Sequence, residues 1–169
     1  GAAVVSRNET GKGGILSTHL HSEGQHKNEL SLQGPSTAHW VPEIIAENPQ
    51  ENIPYYPVMN GQFVFKHAIV RFAEVIQEGL EANNLEVKDI DMLIAHQANL
   101  RISQFIQQKM KLKDEQVFNN IQKYGNTTAA SIPIALTEAW EQGKIKEGDL
   151  VVLAAFGSGF TWGSAIIRW

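Results

Sequence analysis

Cysteine is absent from all 169 residues, which excludes disulfides, thiolate metal sites and a cysteine nucleophile supplied by this chain. No stretch approaches the roughly eighteen continuous apolar residues of a membrane-spanning helix. A charged-then-apolar leader is missing as well. The chain opens on Gly1 and a strand-like "GAAVV" rather than on Met, so a segment upstream is expected to have been removed. Basic residues are not in excess: 14 Lys and Arg stand against 18 Asp and Glu, for a net charge of −4, and they are scattered. Nucleic acid and anionic membrane both call for a basic patch, so neither is expected as a partner. What is present is an apolar fraction of 43% on a chain of one-domain length, enough for a real core.

The pattern along the chain gives an order of elements. "GAAVVSR" and "GGILSTHLHS" are β-rich and separated by "NETGKG", a turn-like hexapeptide that predicts an antiparallel hairpin. From Glu23 to Pro57 the chain is polar and punctuated by five prolines, a long connection with a short helix expected around Val41–Glu47. Ile69, Phe72, Ile76 and Leu80 then recur at helical spacing, and Asn83 and Asn84 are stop signals. "IDMLIAH" reads as a buried strand, "NLRISQFIQQKMK" as a helix with Ile102, Phe105, Ile106 and Met110 on one stripe, and "VFNNIQKYGN" as holding a short strand. A third helix follows, with Leu136, Ala139 and Trp140 inward. Pro133 is tolerated in it if the helix starts at Ser131 and kinks it if the start is earlier. "DLVVLAAF", "GSG" and "TWGSAIIRW" close the chain as two strands around a turn. Strands alternating with amphipathic helices predict a layered α/β fold, its mixed sheet mostly parallel with an antiparallel terminal hairpin at its edge.

Sites in open α/β sheets gather where strands run into helices. Two places fit. One is "LIAHQANLRI", where an aliphatic run stops at His96 and polar Gln97, Asn99 and Arg101 follow; a satisfied core histidine is the plain reading, a reaction site the sharper one. The other is "GNTTAAS", where Asn126 is either a helix cap or a donor. His19, His21 and His26 invite a metal test, but no carboxylate or cysteine motif completes a ligand set. "FGSGFTWG" lacks the lysine and helix of a phosphate loop and reads as a tight turn.

Taken in order, "HQANLRI", "YGNTTAASIPIAL" and "AAFGSGFTWGSAIIRW", with "GGILSTHLHSEG" and "MNGQFVFKHAI" before them, resemble the β-ketoacyl-acyl-carrier-protein synthase III family, nearly end to end. That resemblance implies the C-terminal half of a thiolase-like fold, with residues 1–57 a hairpin and long loop leading from the missing N-terminal half and residues 58–169 the C-terminal domain. It implies a Cys–His–Asn triad in which His96 and Asn126 are catalytic and the cysteine lies in the missing half. By the same match Asn99 and the backbone near Ala98 contact the pantetheine arm, Phe65 and Phe156 line the acyl tunnel unless they are plain core, and Arg101 docks the carrier protein unless it is a solvated helix residue. Gln62 stands where the family has a pantetheine-contacting asparagine, and Ser158 interrupts a triple glycine. Further implications are acyl-CoA and malonyl-acyl-carrier protein as substrates, no cofactor or metal, a homodimer in the full enzyme and a cytoplasmic location. Two alternatives stay open: a paralogue acting on polyketide-type acyl groups, and a non-catalytic module that binds carrier protein or a partner chain.

Overall fold

The computed structural model describes residues 1–9, 11–32 and 57–169; the helix expected around Val41–Glu47 lies outside them. In chain order the elements are β1 (Gly14–Ser22), β2 (Leu30–Ser31), β3 (Val58–Met59), α1 (Gly61–Ala82), β4 (Met92–Ala95), α2 (Leu100–Met110), α3 (Ile121–Tyr124), α4 (Ser131–Glu141), β5 (Leu150–Gly157) and β6 (Thr161–Arg168).

The main sheet has four strands in the order β1-β6-β5-β4, and β2 pairs separately with β3. Pleating divides the side chains between two faces. Leu93 and Ala95 join Leu150, Val152, Ala154, Phe156 and Ile166 against Val64, Ala68, Phe72, Ile76 and Leu80 of α1. Met92, Ile94 and Val151 face the other way, against Ala135 and Ala139 of α4. The result is a layered α/β unit whose β4 strand, buried along its whole length, delivers its last residue between the two helical layers. Helix and sheet approach closely at Gly79, where a Cβ would meet Ile166 Cδ1 at 2.8 Å.

Several expectations need correction. The sheet is mixed, but only β4 and β5 run parallel; β5 with β6 and β1 with β6 are antiparallel. The terminal hairpin is not at the edge, because β1 adds beyond β6 and spans Gly14↔Arg168 to Ser22↔Thr161. The opening "GAAVVSR" forms no strand, and Val4 and Val5 are 98% and 76% exposed. A strand exists only against a partner, and the free side of β1 receives none among the described residues. Residues 114–124 hold a single bridge, Val117 to Leu93, and then the helical turn α3 rather than a strand.

The helices lie where the periodicity predicts, but the strips they bury differ from it. Phe72, Ile76 and Leu80 are buried, Ile69 half-buried. On α2, Ile106 is buried while Phe105 is 40% exposed and set edge-on to Phe65. Trp140, expected inward, is 57% exposed and leans on Trp169 instead. Ala135 and Ala139 take the inward line of α4, since small side chains let the helix lie close to β4. Pro133 is the third residue of α4, where a missing N–H costs no intrahelical bond and no kink is needed.

Candidate active site

The end of β4 is set by hydrogen bonds that stop the strand and redirect the chain. His96 N–H still pairs with Ala154 O of β5 at 2.8 Å, and Ala98 N–H then folds back on His96 O at 3.0 Å. Asn99 opens α2 by accepting Arg101 N–H on Oδ1 at 2.9 Å. Gln97 is 3% exposed and fully used. Its Nε2 donates to Ala95 O at 2.7 Å, and its Oε1 accepts from Asn120 N–H at 3.1 Å and Ile121 N–H at 3.2 Å. A buried amide satisfied in this way ties two loops together.

His96 is half-buried, and that burial pushes its pKa below the ordinary 6.5. The imidazole is therefore neutral at physiological pH. Its Nδ1 lies 2.6 Å from Ser131 Oγ, on the first residue of α4. Ser131 is 1% exposed and also accepts Gln97 N–H at 3.2 Å. Strand end and helix start are thus joined through one hydroxyl.

Asn126 arrives on the loop that precedes α4. Gly125 has φ 68° and ψ −161°, a conformation open essentially to glycine alone. Asn126 Oδ1 accepts Thr128 N–H at 2.9 Å, and Thr128 itself sits at φ 53°, a left-handed position uncommon for a β-branched residue. The side chain makes a local turn rather than capping α4, whose N-cap is Ala130. This turn engages the acceptor end of the carboxamide and leaves the donor end for another group. Asn126 is exposed.

The segment carrying Asn126 is held down by Glu138. Its carboxylate receives Lys123 Nζ at 2.7 Å, Tyr124 O–H at 2.5 Å and Asn120 Nδ2 at 2.8 Å, and these, Lys123 foremost, depress its pKa to about 2. Ser131 and Glu138 were not singled out from sequence. The available signal for Ser131 was its spacing: it leads Ala135 and Ala139 at i+4 and i+8 on the buried line of α4, a polar group in an apolar stripe.

The other residues taken from the family pattern are more dispersed. Ala98 and Asn99 are exposed beside His96, and Arg101 is exposed in the first turn of α2. Gln62 is exposed at the start of α1, and Phe65 is half-buried against Phe105. Phe156 is 5% exposed and packed on Phe160 and Trp162 in the α1-side core, whereas Ser131 draws the His96 ring toward α4. Ser158 donates its hydroxyl to Leu30 O at 2.9 Å, fastening the β5–β6 turn to β2. A shallow groove of about 360 Å³ between α1 and α2, lined by residues such as Glu74, Gln77, Lys109 and Met110, includes none of these side chains.

The histidines of β1 serve another purpose. His19 and His21 share one carboxylate, Glu78 of α1, at 3.2 and 2.6 Å. His26 stands apart, among the rings of Phe63, His67 and Phe160. Among the described residues, no three His, Cys, Asp or Glu side chains come together in a way that could hold a metal ion.

Comparison with known proteins gives the arrangement a family. The profile of the 3-oxoacyl-[acyl-carrier-protein] synthase III C-terminal region matches residues 80–169. The β-ketoacyl-[acyl-carrier-protein] synthase III of Rhodospirillum centenum is 46% identical over 172 aligned residues, covering 99% of this chain and 49% of that protein. The Salmonella typhimurium synthase III is 45% identical, again over 99% of this chain and 49% of its own length. The crystal structure of 3-oxoacyl-[acyl-carrier-protein] synthase III from Aquifex aeolicus superposes with a TM-score of 0.82 at 38% identity, over 97% of this chain and 47% of that one. The chain spans about half the length of the curated relatives it matches. By profile, sequence and thiolase-like fold together, it belongs to the 3-oxoacyl-[acyl-carrier-protein] synthase III family and corresponds to the C-terminal half of its members.

Proposed function

We propose that this chain supplies the enolate-stabilising half of a condensing enzyme that joins an acyl group from acyl-CoA to malonyl-acyl-carrier protein, starting fatty-acid elongation. The observation that carries the reading is that the end of β4 and the loop leading into α4, which meet through the His96–Ser131 contact, each bring an uncharged donor. These donors are a burial-neutralised His96 and an Asn126 whose carboxamide is committed at its oxygen end only. The nucleophilic cysteine comes from the part of the relatives that this chain does not span.

The chemistry asks for donors of this kind. With the acyl group held as a thioester on cysteine, the malonyl thioester loses CO₂. The breaking C–C bond leaves its electron pair in an enolate, with charge on the thioester oxygen. His96 and Asn126 donate to that oxygen and each contribute about 3 kcal/mol to the barrier reduction. The enolate carbon then attacks the acyl thioester, and the cysteine thiolate departs. A carboxylate in either position would repel the developing charge, and a lysine could protonate the carbon before it attacks.

Around this centre, Asn99 and the Ala98 backbone hold the pantetheine arm beside His96, with Gln62 a weaker contact. Phe65, half-buried beside α2, bounds the acyl chain, while Phe156 serves as core packing behind it. Arg101, exposed one turn away, meets the acidic surface of the carrier protein. No cofactor is required by this sequence of steps. The complete protein works as a homodimer in the cytoplasm. The chain by itself, having no cysteine, cannot store the acyl thioester and so performs no condensation.

The test uses the complete enzyme, with acyl transfer from labelled acyl-CoA and CO₂ release followed separately. His96→Ala and Asn126→Ala should each lower decarboxylation by roughly 10²–10³-fold while acylation stays near normal. Lost acylation with normal CO₂ release would assign these side chains to the other half-reaction.

A further inference from the structure

The geometry points to Ser131 as the positioning residue that sets the tautomer of His96, holding the ring proton on Nε2. This inference rests on the reading of His96 as an enolate donor, because only an imidazole with hydrogen on Nε2 can donate from the nitrogen that faces away from α4.

The argument is one of proton accounting at a buried hydroxyl. Ser131 Oγ is 1% exposed and makes two hydrogen bonds, one with Gln97 N–H at 3.2 Å and one with His96 Nδ1 at 2.6 Å. A backbone N–H can only donate, so toward Gln97 the oxygen is an acceptor. The hydroxyl hydrogen then needs an acceptor of its own, and the short contact supplies one in Nδ1. If Nδ1 instead carried the ring proton, it would donate to Oγ, and the serine hydrogen would point into a closed site with no partner. In a neutral imidazole one nitrogen is donor and the other acceptor, and the bond made by one fixes the role of the other. Nδ1 as acceptor places the hydrogen on Nε2. Burial, which keeps His96 neutral, makes this choice binding, since a protonated ring would carry hydrogen on both nitrogens.

The fold keeps Ser131 in register. It is the first residue of α4, and its Gln97 partner is locked in turn by Ala95 O, Asn120 N–H and Ile121 N–H. Ala135 and Ala139, on the same line of the helix, lie 0% exposed against β4, so the hydroxyl cannot slide along the strand end.

The experiment uses the complete synthase, labelled with ¹⁵N-histidine, with the His96 signals assigned by their loss in His96→Ala. In the wild type, Nε2 should appear as the protonated nitrogen and Nδ1 as the hydrogen-bonded acceptor. A His96 with its proton on Nδ1 overturns the inference, and that readout needs no variant of Ser131. In Ser131→Ala a mixture of tautomers should appear, with CO₂ release from malonyl-carrier protein lowered roughly tenfold in kcat, KM little changed and acylation preserved. Ser131→Thr, which keeps the hydroxyl, should restore both the single tautomer and the rate. Unchanged His96 signals in a folded Ser131→Ala would also overturn the assignment. An Nε2–H tautomer together with normal decarboxylation in His96→Ala would instead leave the assignment standing and sink the enolate role.

Discussion

The sheet has two unlike margins. At the His96 end the polar groups of β4, the 96–97 turn, the 120–121 segment and α4 bond to one another through Gln97 and Ser131. At the β1 end, apolar side chains stand open: Ile15 is 53% exposed and Leu20 81%, on the face that α4 covers only over β4 and β5. The β4–α4 junction is tied together by contacts within this chain, whereas at the margin α1 reaches β1 only on the face of His19 and His21, and the face of Ile15 and Leu20 meets no helix among the described residues. The difference teaches that the placement of His96 is fixed by bonds local to the β4–α4 junction, far along the sheet from β1.

Gln97 is the sharpest way to break the comparison. Gln97→Ala leaves Asn120 N–H, Ile121 N–H and Ala95 O without their partner, at a cost of about 3 kcal/mol. Thermal unfolding of the complete enzyme should fall accordingly. If His96 and Asn126 act as proposed, decarboxylation should suffer more than acylation, because the segments leading to both hang on this amide. A folded variant with wild-type stability would mean water replaces the side chain and the junction is less closed than its contacts indicate.

Much of this junction was legible in the sequence, and the omissions share one cause. The run Met92–Ala95 is apolar throughout because both faces of β4 are covered, and the change to polar residues at His96 falls where the strand ends. Ser131 and Glu138 stayed hidden because their partners lie 35 and 14 to 18 residues away, and nothing local distinguishes a bonded serine from a solvated one. Trp140 misled for a related reason. Periodicity locates a helical face, but it does not tell how wide the covered strip is, and α4 presents alanines where it meets the sheet. The order of strands was equally beyond reach, since antiparallel pairing of β1 with β6 joins segments at opposite ends of the chain.

Glu138 gives a smaller effect, read through pH. Its carboxyl is held down to about 2, against an ordinary 4.5, first by Lys123 and then by Tyr124 and Asn120. A depressed carboxyl pKa means the unfolded state binds the proton more tightly. The contribution is therefore complete above about 4.5 and is lost as pH falls from there toward 2. Glu138→Gln should lower stability at neutral pH, and the gap from wild type should shrink across that acid window. Denaturant titrations at stepped pH measure it. A gap independent of pH would show that the carboxylate acts through packing rather than charge.

Leu20 should produce the smallest change, and it tests the open margin itself. The side chain lies over Gly163, where a Cβ would meet Leu20 Cδ2 at 2.6 Å, yet most of its surface faces solvent. Removing it forfeits little burial, so in the isolated 169-residue chain Leu20→Ser should shift stability by no more than about 0.5 kcal/mol. An exposed apolar patch does promote association, and here Leu20 shares its strand face with Ile15. The variant should therefore sediment with less self-association than the parent chain at equal concentration. Joined to the other half of the synthase, the same substitution should instead become costly if that half packs on this face, because serine would then sit unpaired in a closed interface. A substitution neutral in both settings would mean the β1 margin is simply solvent-facing, and the contrast between the two ends of the sheet would reduce to surface composition.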